Sequence, residues 1–282
     1  MPVLVTGAEA GLGRAVVARM LRTGGEVRVY LDPDRSSQAD VDGYRRSGLK
    51  VARGMLEDEG HLELALAQVH TVVHAGGGAL DDPATVLDDV ASVVSAAMGA
   101  GCRRLVWASQ LGASATEENP YLRVCAEAEA LLADAPLETV VLRRALTYGP
   151  HDALTGVLAA GVPGADTRAR HAPLYVDDLA AAVLAADAER GRTGPDHLLV
   201  SLAGPEVVTL ERLVAGLAGL DGLRPRDPRG PADPPSAGPE APAPAPHLAD
   251  VLSRDRLPDA TTLGRTGTPL AEGLARTRAA TS

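Results

Sequence analysis

Residues 3–14, VLVTGAEAGLGR, decide how the rest of the chain is read. Val3, Leu4 and Val5 form a short apolar run that ends in a turn with glycines at 7, 11 and 13. Leu12, Ala15, Val16, Met20 and Leu21 then recur at helical spacing until Gly24-Gly25 stops the pattern. A strand, a glycine-rich turn and a helix in that order make an anion site. The helix N-terminus offers unpaired N–H groups and about half a positive charge, and glycines without Cβ let a diphosphate approach the backbone. The glycine spacing is a weak pattern by itself; following a strand and opening a helix, it becomes a strong one.

Working outward, residues 27–31, 49–52, 71–75, 105–109 and 139–142 read as further strands. Helical patterns run between them through residues 62–69, 82–100 and 126–132, the second opening at Asp82-Pro83 with proline suited to a first turn. Repeated strand–helix units with continuously apolar strands predict an α/β fold. Its core is a doubly wound, Rossmann-like parallel sheet covered on both faces, with the ligand crevice at the carboxyl ends of the strands.

Beyond residue 150 the pattern loosens. Residues 151–172 read as a loop or short helix over the crevice, 176–188 as a helix, 198–202 as a strand and 210–220 as a helix. Residues 224–246 are dense in proline and read as an extended loop, either a surface insertion or a flap over a pocket. The expected division is a dinucleotide-binding core at 1–150. A small C-terminal substrate-binding lobe at 151–282 is interleaved with the end of that core.

Composition narrows the function classes. The 282 residues can bury a full core, built from small aliphatics because Phe is absent and Trp107 is the only tryptophan. A net charge of −10 argues against nucleic acid and anionic membrane as partners. No apolar run reaches membrane-spanning length and the chain opens on a strand rather than a signal peptide, so a cytoplasmic location is expected. Cys102 and Cys125 form no metal or redox motif, which suits a reducing compartment. Lys50 is the only lysine among 27 basic residues, so almost any cationic chemistry falls to arginine.

Several segments together resemble the short-chain dehydrogenase/reductase family in its atypical or extended form. Thr6-Gly7-x-x-x-Gly11-x-Gly13 resembles its nucleotide motif, Leu105-Val106-Trp107-Ala108-Ser109 the strand ending in its active-site serine, and Tyr121-Leu-Arg-Val-Cys125 its Tyr-x-x-x-Lys helix. Leu142-Arg143-Arg144 with Tyr148-Gly149-Pro150 is similar to a Leu-Arg-Pro…Tyr-Gly-Pro segment. Residues 174–180 resemble a Val-Asp-Asp-Leu-Ala helix start, and Leu263-Gly264 with residues 270–274 a C-terminal helix. The resemblance implies an NAD(P)H cofactor on Thr6, Gly7, Gly11, Leu12, Gly13 and Arg14. It also implies backbone contact near the nicotinamide ribose at Ala75-Gly76, and an apolar adenine contact at Leu56 where the family has a polar one. Ser109 and Tyr121 are the implied catalytic pair.

The departure is Cys125, which stands where the family has a lysine that lowers the tyrosine pKa. Without a cationic neighbour Tyr121 keeps a pKa near 10, so it donates a proton to a developing alkoxide more readily than it removes one from an alcohol. The alternative for Tyr121 is a packing residue at a helix start after Asn119-Pro120. Ser109 faces the crevice or satisfies loop backbone. Thr147 and Tyr148 are the next candidates; His151 and His171 are pocket acids or merely exposed, and His74 is a satisfied core histidine. Asp32, 19 residues after Gly13, favours NAD through the adenosine ribose, whereas Arg14 and Arg35 offer guanidinium groups to a 2′-phosphate.

The function expected is NAD(P)H-dependent reduction of a small-molecule carbonyl, of aromatic or polyketide type, in antibiotic or other secondary-metabolite biosynthesis. The alternatives are a sugar-nucleotide epimerase or dehydratase, and a non-catalytic NAD(P)-sensing regulator. The sequence leaves the oligomeric state open.

Overall fold

The computed structural model describes residues 2–188, 196–218, 246–255, 257 and 267–281. In chain order these form β1 (Val3–Thr6), α1 (Gly11–Arg22), β2 (Val27–Leu31), α2 (Gln38–Arg46), β3 (Lys50–Arg53), α3 (Glu59–Leu66) and β4 (Thr71–His74). There follow α4 (Pro83–Gly99), β5 (Arg104–Trp107), α5 (Pro120–Asp134), β6 (Glu138–Arg144), β7 (Thr147–Tyr148), α6 (Ala153–Ala160), β8 (Arg170–His171) and β9 (Leu174–Tyr175). The last are α7 (Val176–Ala188), β10 (His197–Leu202), β11 (Val208–Thr209), α8 (Leu210–Leu217), α9 (Pro246–Ser253) and α10 (Leu270–Thr281).

Seven strands make one parallel sheet in the order β10-β6-β5-β4-β1-β2-β3. The reversal of direction falls beside β1, which pairs with β2 on one side and β4 on the other. This is the Rossmann-like doubly wound sheet, and its crevice opens where the chain leaves β1 and β4.

Register explains why the strands read as continuously apolar. Val5, Val73, Val106 and Val140 lie in one cross-strand row, and these residues pack with Val16, Val17 and Met20 of α1 and Leu179 and Val183 of α7. The alternate positions Leu4, Val72 and Leu105 pack on the opposite face with Leu62, Val90, Val93, Leu122 and Leu132 of α3, α4 and α5. Both faces are therefore covered, and the strand positions facing the helices are mostly apolar, with Thr139 the buried polar member of the second row. Trp107, Tyr30, Tyr121 and Tyr148 head the fully buried side chains, in a core otherwise filled by aliphatics.

Three boundaries depart from the sequence expectation. α2 carries only one buried residue, Val41, and is held by a capping box between Ser37 and Asp40, so it has no apolar period to betray it. α5 starts at Pro120 rather than 126, because the Asn119 side chain caps it by accepting from the amides of Tyr121 and Leu122. β5 ends at Trp107, so Ser109 lies in the loop beyond the strand. The segment 151–172 does contain a short helix, α6, capped by Asp152. Of the proline-rich stretch 224–246, residues up to 245 lie outside the described residues, as do Leu263 and Gly264. Among the described residues no helix is long and apolar enough to cross a membrane.

Candidate active site

The crevice is built from four connections: 7–10 after β1, 75–82 after β4, 108–119 after β5 and 145–152 after β6. Thr6 and His74, at the ends of the adjacent β1 and β4, join through Oγ1 and Nδ1 at 2.7 Å. His74 is fully buried, and burial pulls its imidazole pKa down to about 4. Its Nε2 has no partner among the described residues, so His74 is there a half-satisfied core histidine rather than a satisfied one.

In the glycine turn, Gly7 has φ +71°, a conformation that suits glycine. A Cβ on Gly13 would lie 2.2 Å from the Gly7 carbonyl oxygen, so Gly13 lets α1 start hard against the end of β1. A Cβ on Gly11 would meet the Asp152 Cα at 2.8 Å. The space a side chain would need at Gly11 and Gly13 is thus filled by the chain itself. Leu12 turns its side chain into the core and leaves only its amide to the turn.

The donors for an anion remain. α1 begins at Ala10 with no side-chain cap, whereas α2, α3, α4, α5, α6 and α8 are capped by Ser37, Asp58, Asp82, Asn119, Asp152 and Thr209. The residues present therefore fit a dinucleotide diphosphate at this turn. Asp32 follows β2, where its Oδ1 accepts from the Asp34 amide at 2.7 Å. Arg14 reaches Asp40 at 2.5 Å, and Arg35 reaches Asp81 at 2.7 Å and approaches Asp32 at 3.8 Å. Leu56 is half-buried and packs against the core beside β3, while Met55 is exposed.

The loop after β4 receives the polar groups of the neighbouring elements. Ala75 donates its amide to the Thr6 carbonyl at 3.1 Å, and the Trp107 indole donates to the Gly76 carbonyl at 3.3 Å. Gly76 sits so close to the His74 ring that a Cβ would fall 2.8 Å from Cε1. The Gly77 carbonyl then accepts from the Tyr121 phenol at 3.0 Å and from Nη2 of Arg144 at 3.4 Å.

Tyr121 is fully buried in the first turn of α5, with the His247 ring of α9 packed against it at 5.8 Å between centroids. Burial raises its phenol pKa well above the usual value; the Cys125 thiol adds to the rise, and the charge and hydrogen bond of Arg144 oppose it. Cys125, one turn along, is itself pushed up to about 11 by burial. It therefore stays a neutral thiol and supplies no cation.

Arg144 is the site residue that sequence reasoning missed. Arg123, the nearer arginine in sequence, is exposed and donates to the Glu117 carbonyl instead. Arg144 arrives from the end of β6 and stands between Tyr121 and Asp152, whose carboxyl is raised by burial while Arg144 lowers it. The available signal was the second arginine of Leu142-Arg143-Arg144, in the place of the proline of the segment it resembles.

Ser109 is turned elsewhere. Its hydroxyl donates to Oε1 of the buried Glu129 at 2.6 Å, and Arg143 grips the same carboxylate at 2.5–3.1 Å. Tyr121, Cys125 and Glu129 share one stripe of α5, but the stripe sends Tyr121 to the β4 loop and Glu129 to Ser109 and Arg143. Ser109 and Tyr121 thus donate to different acceptors, the Glu129 carboxylate and the Gly77 carbonyl. The reason is the Glu129 carboxylate, which needs donors in a buried setting.

Of the other candidates, Thr147 donates to the Ala145 carbonyl at 3.1 Å. Tyr148 is buried, its hydroxyl without a partner among the described residues, and packs on Tyr175 at 5.6 Å between centroids. His151 is exposed with φ +60°, and His171 is buried with Nε2 at 3.0 Å from the Leu252 carbonyl.

Residues 7–188 match the NAD(P)H-binding family. No curated protein matches the chain in sequence. The fold is shared with UDP-glucose 4-epimerase of Thermus thermophilus in complex with NAD, at 21% identity over 99% of this chain and 98% of that one, with a TM-score of 0.69. A nucleoside-diphosphate-sugar epimerase from Pseudomonas aeruginosa is similar at 17% identity, covering 99% and 97% of the two chains, with a TM-score of 0.70. The Bordetella bronchiseptica enzyme WbmH in complex with NAD+ is similar at 19% identity, covering 99% and 97%, with a TM-score of 0.67.

Proposed function

We propose that this chain, which belongs to the NAD(P)H-binding family, is a carbonyl reductase in which Tyr121 is the proton donor and Arg144 the cation beside it. One observation carries this reading. The phenol and the guanidinium meet on the Gly77 carbonyl, in the loop that runs from β4 along the crevice.

When bound, the dinucleotide supplies a hydride to the substrate's carbonyl carbon. The oxygen, gaining negative charge, takes the phenol proton of Tyr121 and becomes a hydroxyl. The tyrosinate left behind lies next to Arg144, whose fixed positive charge stabilises it in a water-poor site, and solvent returns the proton between turnovers. Burial keeps Tyr121 protonated at rest, so it starts as an acid. The enzyme accordingly favours reduction over alcohol oxidation, and ketones that need little help. An aromatic polyketide ketone of the angucyclinone type, already hydrogen-bonded to its own phenol, is such a substrate, and antibiotic biosynthesis is where such ketones are made. The elements beyond residue 150 form the substrate side. His247 covers the Tyr121 ring, so the substrate carbonyl enters by displacing it and replaces Gly77 as the acceptor of the phenol proton.

A sugar-nucleotide epimerase would open with alcohol oxidation and would need Tyr121 as a base, which its burial opposes. Steady-state NADH and NADPH oxidation with a panel of aromatic ketones separates the readings. Turnover should fall about 100-fold or more in Tyr121→Phe, the usual scale of a general acid. Interconversion of UDP-glucose with NAD+ in place of ketone reduction would contradict the proposal, and coenzyme binding without turnover on any ketone would favour the sensing role.

A further inference from the structure

Glu9 lies inside the glycine turn, between β1 and α1. Its Oε2 is buried and has no hydrogen-bond partner among the described residues. Burial, and then the charge of Asp32, raise its carboxyl to about 7, although its own backbone amide, Arg35 and Arg14 pull the other way. Both guanidinium groups beside it are already engaged. Arg14 donates Nε to the Glu9 carbonyl at 2.9 Å and Nη2 to Asp40 at 2.5 Å. Arg35 donates Nη2 to Asp81 across the crevice at 2.7 Å. The cations that would welcome a 2′-phosphate are thus held by carboxylates, and two acids, Glu9 in the turn and Asp32 after β2, stand near one another where the adenosine ribose of a dinucleotide on α1 would lie. A buried carboxylate oxygen without a donor is costly, and a ribose hydroxyl is the donor that such a ligand brings.

We propose that Glu9 is a coenzyme-selecting residue: its carboxylate accepts a hydrogen bond from an adenosine-ribose hydroxyl and, with Asp32, repels a 2′-phosphate, so that the chain takes NADH in preference to NADPH. This rests on the coenzyme occupying the glycine turn, and not on the reductase chemistry. Arg35 belongs to the same device, since its pairing with Asp81 withholds the nearest positive charge from a phosphate.

Trp107 gives the readout, as the single tryptophan, with its indole on the Gly76 carbonyl. Energy transfer from Trp107 to the reduced nicotinamide, titrated at pH 8 where Glu9 is ionised, yields the dissociation constants of NADH and NADPH directly. The wild-type chain should bind NADH at least about tenfold more tightly, and Glu9→Gln, which keeps the shape and removes the charge, should shrink that ratio by about tenfold. Glu9→Ser provides a second variant with the charge removed and room gained, and should shrink the ratio likewise. Equal or tighter binding of NADPH by the wild type overturns the proposal, as does a ratio unchanged in both variants. Binding of neither coenzyme overturns it together with the reading beneath it. Selective NADH binding without ketone turnover would sustain it while removing the reductase function.

Discussion

Arg144 and Cys125 have exchanged the place from which positive charge reaches a tyrosine. A lysine one turn along α5 would supply it from the same helix; here it comes from the end of β6. Arg144→Met should lower the single-turnover rate of ketone reduction about 100-fold, the scale of removing one fixed donor from a developing negative charge. Arg144→Lys should recover most of that loss, because charge rather than fork geometry is what the tyrosinate needs; equal loss in both variants would mean that Arg144 only packs. The missing lysine was legible in the sequence because it is a fixed offset on one helix. Its replacement was not, because Arg144 reaches Tyr121 only through the packing of β6 beside α5. The bond of Ser109 to Glu129 was hidden for the same reason: the sequence shows a hydroxyl near a strand end, but not the carboxylate packed against it. His74 bears on pH. Its pKa falls from 6.5 in the unfolded chain to about 4 in the fold, so between those values the unfolded chain binds more protons and stability drops as acid is added. The loss approaches about 3 kcal/mol near pH 4. Glu9 has the opposite sign, since its raised carboxyl takes up a proton in the fold first. Urea unfolding at pH 7 and pH 4.5 should therefore show a smaller acid loss in His74→Gln than in the wild type, with Glu9 common to both; identical losses would exclude His74 as the source.

At the scale of elements, the β1–turn–α1 unit is the most constrained piece of the chain. Gly13→Ala would place a methyl 2.2 Å from a backbone oxygen, which no rotamer change can relieve. We expect it to cost about 2–3 kcal/mol in urea unfolding and to weaken NADH binding more than tenfold, since the amides of α1 would shift. Unchanged stability and binding would mean that the turn is looser than this packing implies. This unit was fully legible, because glycine spacing, apolar run and helical period coincide within a dozen residues. α2 was not, because a helix with one buried residue leaves no period in the sequence. The start of α5 was hidden for a related reason: its first turn is set by the Asn119 cap and not by hydrophobic spacing, and that turn carries Tyr121.

Across the whole molecule, burial on both faces of the sheet made the strands readable as apolar runs, and alternation of those runs with helices was enough to fix the architecture. What the pattern could not give was convergence in space. β10 reads as a strand, but only its parallel pairing with β6 shows that residues beyond 150 complete the sheet. α9, which sets His247 on Tyr121, follows the proline-rich stretch and has too short an apolar period to be read in advance. The coenzyme's position ties these parts together. A crystal structure grown with NADH tests it most directly. We predict the diphosphate within about 3 Å of the amides of Gly11, Leu12 and Gly13, the adenosine ribose at Glu9 and Asp32, and the nicotinamide on the Tyr121 side of the β4 loop. Coenzyme bound anywhere else, or none bound at saturating NADH, would contradict this arrangement.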